Sequence, residues 1–119
     1  MPQGICRLVR PGGTVLIPKV EVAETLLSRT VGLIGRSNLL PDEALWIPRC
    51  RAVHTCGMRV PMDAVFMDRR LRVVAVRESV APFRFPRPCW RAWGVLELRA
   101  NRAKELAIQV GDTLTLEEG

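Results

Sequence analysis

The apolar residues come in short runs, and this limits the fold more than any other feature. Eight short segments read as strands: 5–9 and 14–22, both rich in Val, Ile and Leu, then 44–47, 51–58, 63–68, 71–76, 93–98 and 111–116. Each is four to nine residues long, and several are bounded by Pro, Gly or Asp. Runs of that length suit strands and are too short for helices, which need ten or more residues to show their period. Arg10-Pro11-Gly12-Gly13 predicts a hairpin loop between the first two runs, and Asp68-Arg69-Arg70 a second hairpin. Pro18 lies inside the second run. Without a backbone N–H it places that strand at a sheet edge or in a bulge.

Two segments change period. In 24–34, Leu26, Leu27, Thr30, Val31 and Ile34 fall on one helical face, with Gly35 as a stop. A short helix is also predicted over NRAKELAI (101–108), with Asn101 as N-cap. No strand–helix–strand pattern repeats, and most neighbours are joined by short turns. The expectation is a single α+β, β-rich domain over 1–119. Its mostly antiparallel sheet is expected to curl into a small barrel or a two-sheet sandwich, with two short helices.

The segments GLIGR (32–36), PRCRAVHTCGMRVPMDAVFMD (48–68), VLEL (95–98) and GD (111–112), in that order, resemble a prokaryotic family of uncharacterised proteins, domain-of-unknown-function family 192. The resemblance covers about 20–116. It implies a small β-rich fold and no established activity. Some members are exported or lipid-anchored, and this chain resembles the cytoplasmic branch, whose genes often lie near those for pilus assembly. Two positions depart from the pattern. Cys56 stands where a bulky apolar residue is usual, and Arg99-Ala100-Asn101 replace the small residue and glycine that commonly follow VLEL.

The N-terminal residues show neither a secretory signal nor a membrane span, so a cytoplasmic protein without membrane insertion is expected. In that compartment the four cysteines are expected as thiols. The net charge of +6 comes from sixteen arginines and only two lysines, scattered along the chain. Such a charge suits an anionic partner without specifying nucleic acid.

The chain's only histidine, His54, lies between Cys50 and Cys56. In a continuous strand the three share a face, but Cys50 stands on the order of 13 Å from His54. No Cys-x-x-Cys pair completes a ligand set, so no metal is expected. His54 activating Cys56 lacks an orienting third group. A polar set remains: Arg36, His54, Thr55, Arg59, Asp63 and Glu97. It reads either as an arginine–carboxylate network that pins a helix to the sheet or as the lining of a pocket for a small polar ligand or peptide.

The segment PFRFPRPCWRAW (82–93) interleaves aromatic residues with arginines: Phe83, Arg84, Phe85, Arg87, Trp90 and Arg91, followed by Trp93. One reading makes the aromatics a cap on the core with solvated arginines. The others are a protein-partner surface and single-stranded nucleic-acid binding by stacking. No phosphate-binding glycine loop, nucleophile elbow or helical zinc motif occurs, and no cofactor is expected. The functional expectation is an accessory or binding module rather than an enzyme, serving a protein partner or a small polar ligand. One alternative is a small hydrolase or transferase using His54 with Asp63 or Glu97. The other is nucleic-acid binding through 83–93. Oligomeric state is not legible.

Overall fold

The computed structural model describes residues 4–23, 39–51, 61–81 and 88–118. Their strands are β1 (Ile5–Val9), β2 (Val15–Val22), β3 (Glu43–Pro48), β4 (Met62–Met67), β5 (Val73–Val80), β6 (Gly94–Arg99) and β7 (Thr115–Glu118). A one-turn helix, α1 (Arg102–Glu105), precedes β7. The strands form one sheet in the order β5-β4-β6-β3-β2-β1-β7. Every neighbouring pair is antiparallel except β2 with β3.

The β-rich, mostly antiparallel expectation holds, and the barrel and the two-sheet sandwich are corrected. Among the described residues there is one sheet, and its end strands β5 and β7 do not pair as strands. They approach only through an isolated bridge between Arg72 and Thr113, flanked by backbone bonds from Val73 to Asp112 and from Leu114 to Leu71. The sheet curls without closing. One described helix replaces the expected two; the predicted helix at 24–34 lies outside the described residues, as does most of the strand predicted at 51–58.

Two local irregularities follow from sequence. Along the β1–β2 pair, Cys6 faces Val20 but Leu8 faces Ile17, so Arg7 stands opposite both Pro18 and Lys19. That is a bulge, the second of the two places where a strand proline is tolerated. At the β4–β5 turn the Asp68 carboxylate accepts the N–H groups of Arg70 and Arg72, and Leu71 adopts φ 61°. The turn therefore consumes the start of the run predicted to be a strand from Leu71, and β5 begins at Val73.

Strand parity divides the sheet into two buried faces. On the first, Val20, Trp46, Val65, Met67, Leu96 and Leu98 join residues of β1 and β7 in the main core, closed by Ala103 of α1. Gly94 belongs to this face: a Cβ there would lie 2.5 Å from the Trp46 ring and 2.9 Å from the Ile47 carbonyl oxygen. On the second face Leu45, Ile47, Ala64, Phe66 and Val95 form smaller clusters. All six residues of β4 are buried, as expected of a strand covered on both sides.

Candidate functional site

The two carboxyl groups singled out from the sequence lie on adjacent central strands, β4 and β6. Asp63 faces Leu98, whereas Glu97 faces Ala64. Directly opposed residues share a side of the sheet, so Asp63 projects into the main core and Glu97 projects from the other face. A single imidazole can therefore work with one of them only.

Asp63 is fully buried. Its Oδ1 accepts the N–H groups of Ser79 (2.8 Å) and Asn101 (3.2 Å), and its Oδ2 accepts that of Ala103 (2.9 Å). Ser79 and Asn101 both have positive φ. Ser79 stands in the β5 bulge opposite Asp63 and Asn101 in the turn before α1, and the N–H groups of both take an outside acceptor. Asn101 occupies the N-cap of α1, yet its own side chain makes no capping bond. Asp63 supplies that bond from another strand. The turn after VLEL, where this chain departs from its family's pattern, is held in this way.

Glu97 is 4% exposed. In the sheet it lies between Leu45 of β3 and Ala64 of β4. Beyond Ala64, on the same face, is Arg77 of β5, whose guanidinium sits 4.7 Å from the centre of the Phe66 ring. Burial among apolar neighbours raises the Glu97 carboxyl from the ordinary 4.5 to about 8. At neutral pH it therefore carries its proton and is able to donate a hydrogen bond.

Arg36, His54, Thr55 and Arg59 lie outside the described residues, as do Phe83, Arg84, Phe85 and Arg87. Of the aromatic–arginine segment, Trp90 is 75% exposed and Arg91 is also exposed. Trp93 is half-buried against the main core, its ring 6.3 Å from that of Trp46. Part of the segment thus caps the core and part faces solvent. Among the described residues no three His, Cys, Asp or Glu side chains converge to hold a metal ion. No helix of these residues is long and apolar enough to cross a membrane.

The sequence reading missed one constellation. Arg49, Arg51 and Arg69 surround a recess of about 190 Å³ together with Trp93. The signal available was an R-x-R pair beside a proline, which is too common to be singled out.

The model of domain-of-unknown-function family 192, described as "Uncharacterized ACR", matches residues 7–116. The chain belongs to this family. No curated protein matches it. Among solved structures, it resembles a protein of unknown function from Novosphingobium aromaticivorans, with a TM-score of 0.76 at 22% identity. That match covers 93% of this chain and 83% of the other. It also resembles a Sinorhizobium meliloti protein described as a "putative transcription regulator". There the TM-score is 0.75 at 25% identity, covering 94% and 92% of the two chains.

Proposed function

We propose that the chain is a binding module that holds a small polar ligand on the Glu97 face of the sheet. The observation that carries this reading is Glu97 itself. A protonated carboxyl buried in a central strand costs stability wherever it lacks a partner, and a polar ligand would supply one.

Connectivity supports the same placement. β3 and β4 both run antiparallel to β6, so they are parallel to each other. The segment between them, which carries His54, Thr55 and Arg59, joins Pro48 and Met62 at opposite ends of the sheet. Cys50, at its start, packs with Ala64, Phe66 and Val95 on the Glu97 side. The segment from β2 to β3, also a parallel pair, carries Arg36. Its flanking residues also sit on that side, Ala23 against Leu45 and Ile47 and Leu39 against Met62. In this reading Arg36, His54, Thr55 and Arg59 come over Glu97 and line the pocket with it, while Asp63 holds the frame from the opposite face.

A thermal-shift screen of small polar acids, amides and sugars at pH 6 tests the reading with wild type, Glu97→Gln and His54→Ala. At that pH Gln matches the protonated carboxyl in size and charge, which keeps the fold, while the hydroxyl offered to a ligand becomes an NH₂. A compound that stabilises wild type but neither variant supports the pocket. A His54→Ala protein that is strongly destabilised, with no compound separating the three, means a structural network instead.

A second reading rests on Trp90. An indole left 75% exposed beside an exposed arginine has the composition of an interface hot spot. It favours a protein partner for the segment that includes Phe83, Arg84, Phe85, Arg87, Trp90 and Arg91. The likeness to the Sinorhizobium protein leaves a nucleic-acid partner as the competitor. Loss of partner capture in Trp90→Ala, with no salt-sensitive binding of single-stranded oligonucleotides, would separate the two.

A further inference from the structure

We propose that the recess formed by Arg49, Arg51, Arg69 and Trp93 is a binding site for a small soluble phosphate monoester. It is separate from the Glu97 site and does not depend on it.

The recess lies at one end of the sheet, where β3 and β4 finish and β6 begins. Its walls are set by backbone bonds rather than by loose side chains. The Trp93 N–H donates to the Met67 carbonyl (2.8 Å), and the Trp93 carbonyl accepts the Cys50 N–H (2.9 Å). Trp93 is therefore clamped between the ends of β3 and β4. Arg49 and Arg51 flank Cys50, and the Arg51 carbonyl accepts the Cys89 N–H (2.7 Å). Arg69 comes from the β4–β5 turn, which the Asp68 carboxylate braces through two N–H bonds. The Arg69 guanidinium lies 5.9 Å from the centre of the Trp93 ring.

Among the described residues the lining holds three guanidinium groups and no acidic residue. The ion pairs formed among described residues join Arg7 to Glu117, Arg10 to Asp112, Lys19 to Glu43 and Arg102 to Glu105. Neither Arg51 nor Arg69 takes part in them. Asp68, the nearest acid in sequence to Arg69, has its Oδ1 committed to backbone N–H groups. The Arg51 and Arg69 guanidiniums, like charges facing one concave surface, raise each other's energy, and an anion in the recess relieves that repulsion.

Guanidinium forks match the oxygens of phosphate in pairs, and stacking on Trp93 holds one fork in place before the ligand arrives. A phosphate monoester offers three acceptor oxygens and close to two charges at neutral pH, which suits the forks of Arg51 and Arg69 better than the single charge of a carboxylate does. A volume of about 190 Å³ is below the range of drug-sized ligand sites. It selects a phosphate on a small carrier over a nucleotide seated whole.

The test is titration calorimetry of the full chain with inorganic phosphate and with ribose 5-phosphate, at low salt and between pH 5 and 8. Saturable binding of ribose 5-phosphate is expected. It should tighten as pH rises through about 6, where the monoester takes its second charge. Arg51→Ala and Arg69→Ala should each weaken it roughly tenfold or more, and Arg69→Lys less, because it keeps the charge and loses the fork. Arg51 and Arg69 are exposed, so the variants should fold, and unchanged melting temperatures check this. Three results overturn the proposal. One is the absence of saturable binding, and another is binding indifferent to both substitutions. The third is binding only to vesicles containing phosphatidic acid or only to single-stranded oligonucleotides, which makes the arginines a general anionic surface.

Discussion

The carboxylate of Asp63 caps a helix that starts about forty residues further along the chain: its Oδ2 accepts the Ala103 N–H at 2.9 Å. Oδ1 binds the N–H groups of Ser79 and Asn101 at the same junction. One side chain thus joins β4, the end of β5 and the start of α1. Replacing it with Ala leaves several inward-facing donors without an acceptor. The expected loss is about 3 kcal/mol or more, measured by urea denaturation. Asp63→Asn should lose less, since the amide oxygen keeps one accepting position while its NH₂ opposes a donor. An Asp63→Ala protein as stable as wild type would remove Asp63 from this role.

The Glu97 carboxyl gives stability a particular pH dependence. Its native pKa of about 8 is above that of the unfolded chain, so between roughly pH 4.5 and 8 the native state binds more protons. Its contribution is complete below about 4.5 and is lost as pH rises through 8. Melting temperatures should fall across that window, with a loss on the order of a few kcal/mol by pH 9. The apolar neighbours Leu45 and Ala64 do not offset it, and Arg77 lies one strand further away. Glu97→Gln should flatten the profile and be the more stable protein at pH 9. Calorimetric scans that coincide for the two proteins from pH 5 to 9 would contradict this.

How much of this was legible beforehand depended on the range of the interaction. Most strand runs, the Arg10–Gly13 hairpin and the choice of edge or bulge at Pro18 depend on neighbours in sequence and were read from it. The fate of the two carboxyls was not. Asp63 and Glu97 are both acids inside apolar runs, and their environments differ only through the β4–β6 register, whose pairs are 27 to 37 residues apart in sequence. The left-handed positions whose N–H groups Asp63 accepts, Ser79 in the β5 bulge and Asn101 in a turn, carry no glycine to announce them. The parallel β2–β3 pair was invisible for a similar reason, because its connection is not a short turn.

Gly94 illustrates a close approach that only tertiary structure reveals. In VLEL and its flanks the glycine looks like a strand opening, yet its missing Cβ makes room for the Trp46 ring. Gly94→Ala places a carbon 2.5–2.9 Å from that ring and from the Ile47 carbonyl oxygen. The indole is completely buried and has nowhere to retreat. Overpacking of this kind costs about 1–3 kcal/mol. A changed near-ultraviolet circular dichroism signal should accompany the loss, since Trp46 and Trp93 lie 6.3 Å apart. Full stability with an unchanged aromatic spectrum would count against this packing.

Arg10 shows that the basic charge is partly structural. Its Nη2 donates to the carbonyls of Leu106 (2.7 Å) and Ala107 (2.9 Å), where the chain leaves α1. Its Nη1 reaches Asp112 at 3.3 Å. The planar fork satisfies two exposed helix-end carbonyls and an acid at once, and it ties the first hairpin to the segment leading into β7. Arg10→Ala should cost about 1–2 kcal/mol. Arg10→Lys should recover only part of that, because a single ammonium cannot span three acceptors spread over residues 106, 107 and 112. If Lys restores full stability at low salt and the benefit disappears at high salt, the side chain acts as a charge rather than as a fork, and the hydrogen-bond geometry is irrelevant to its role.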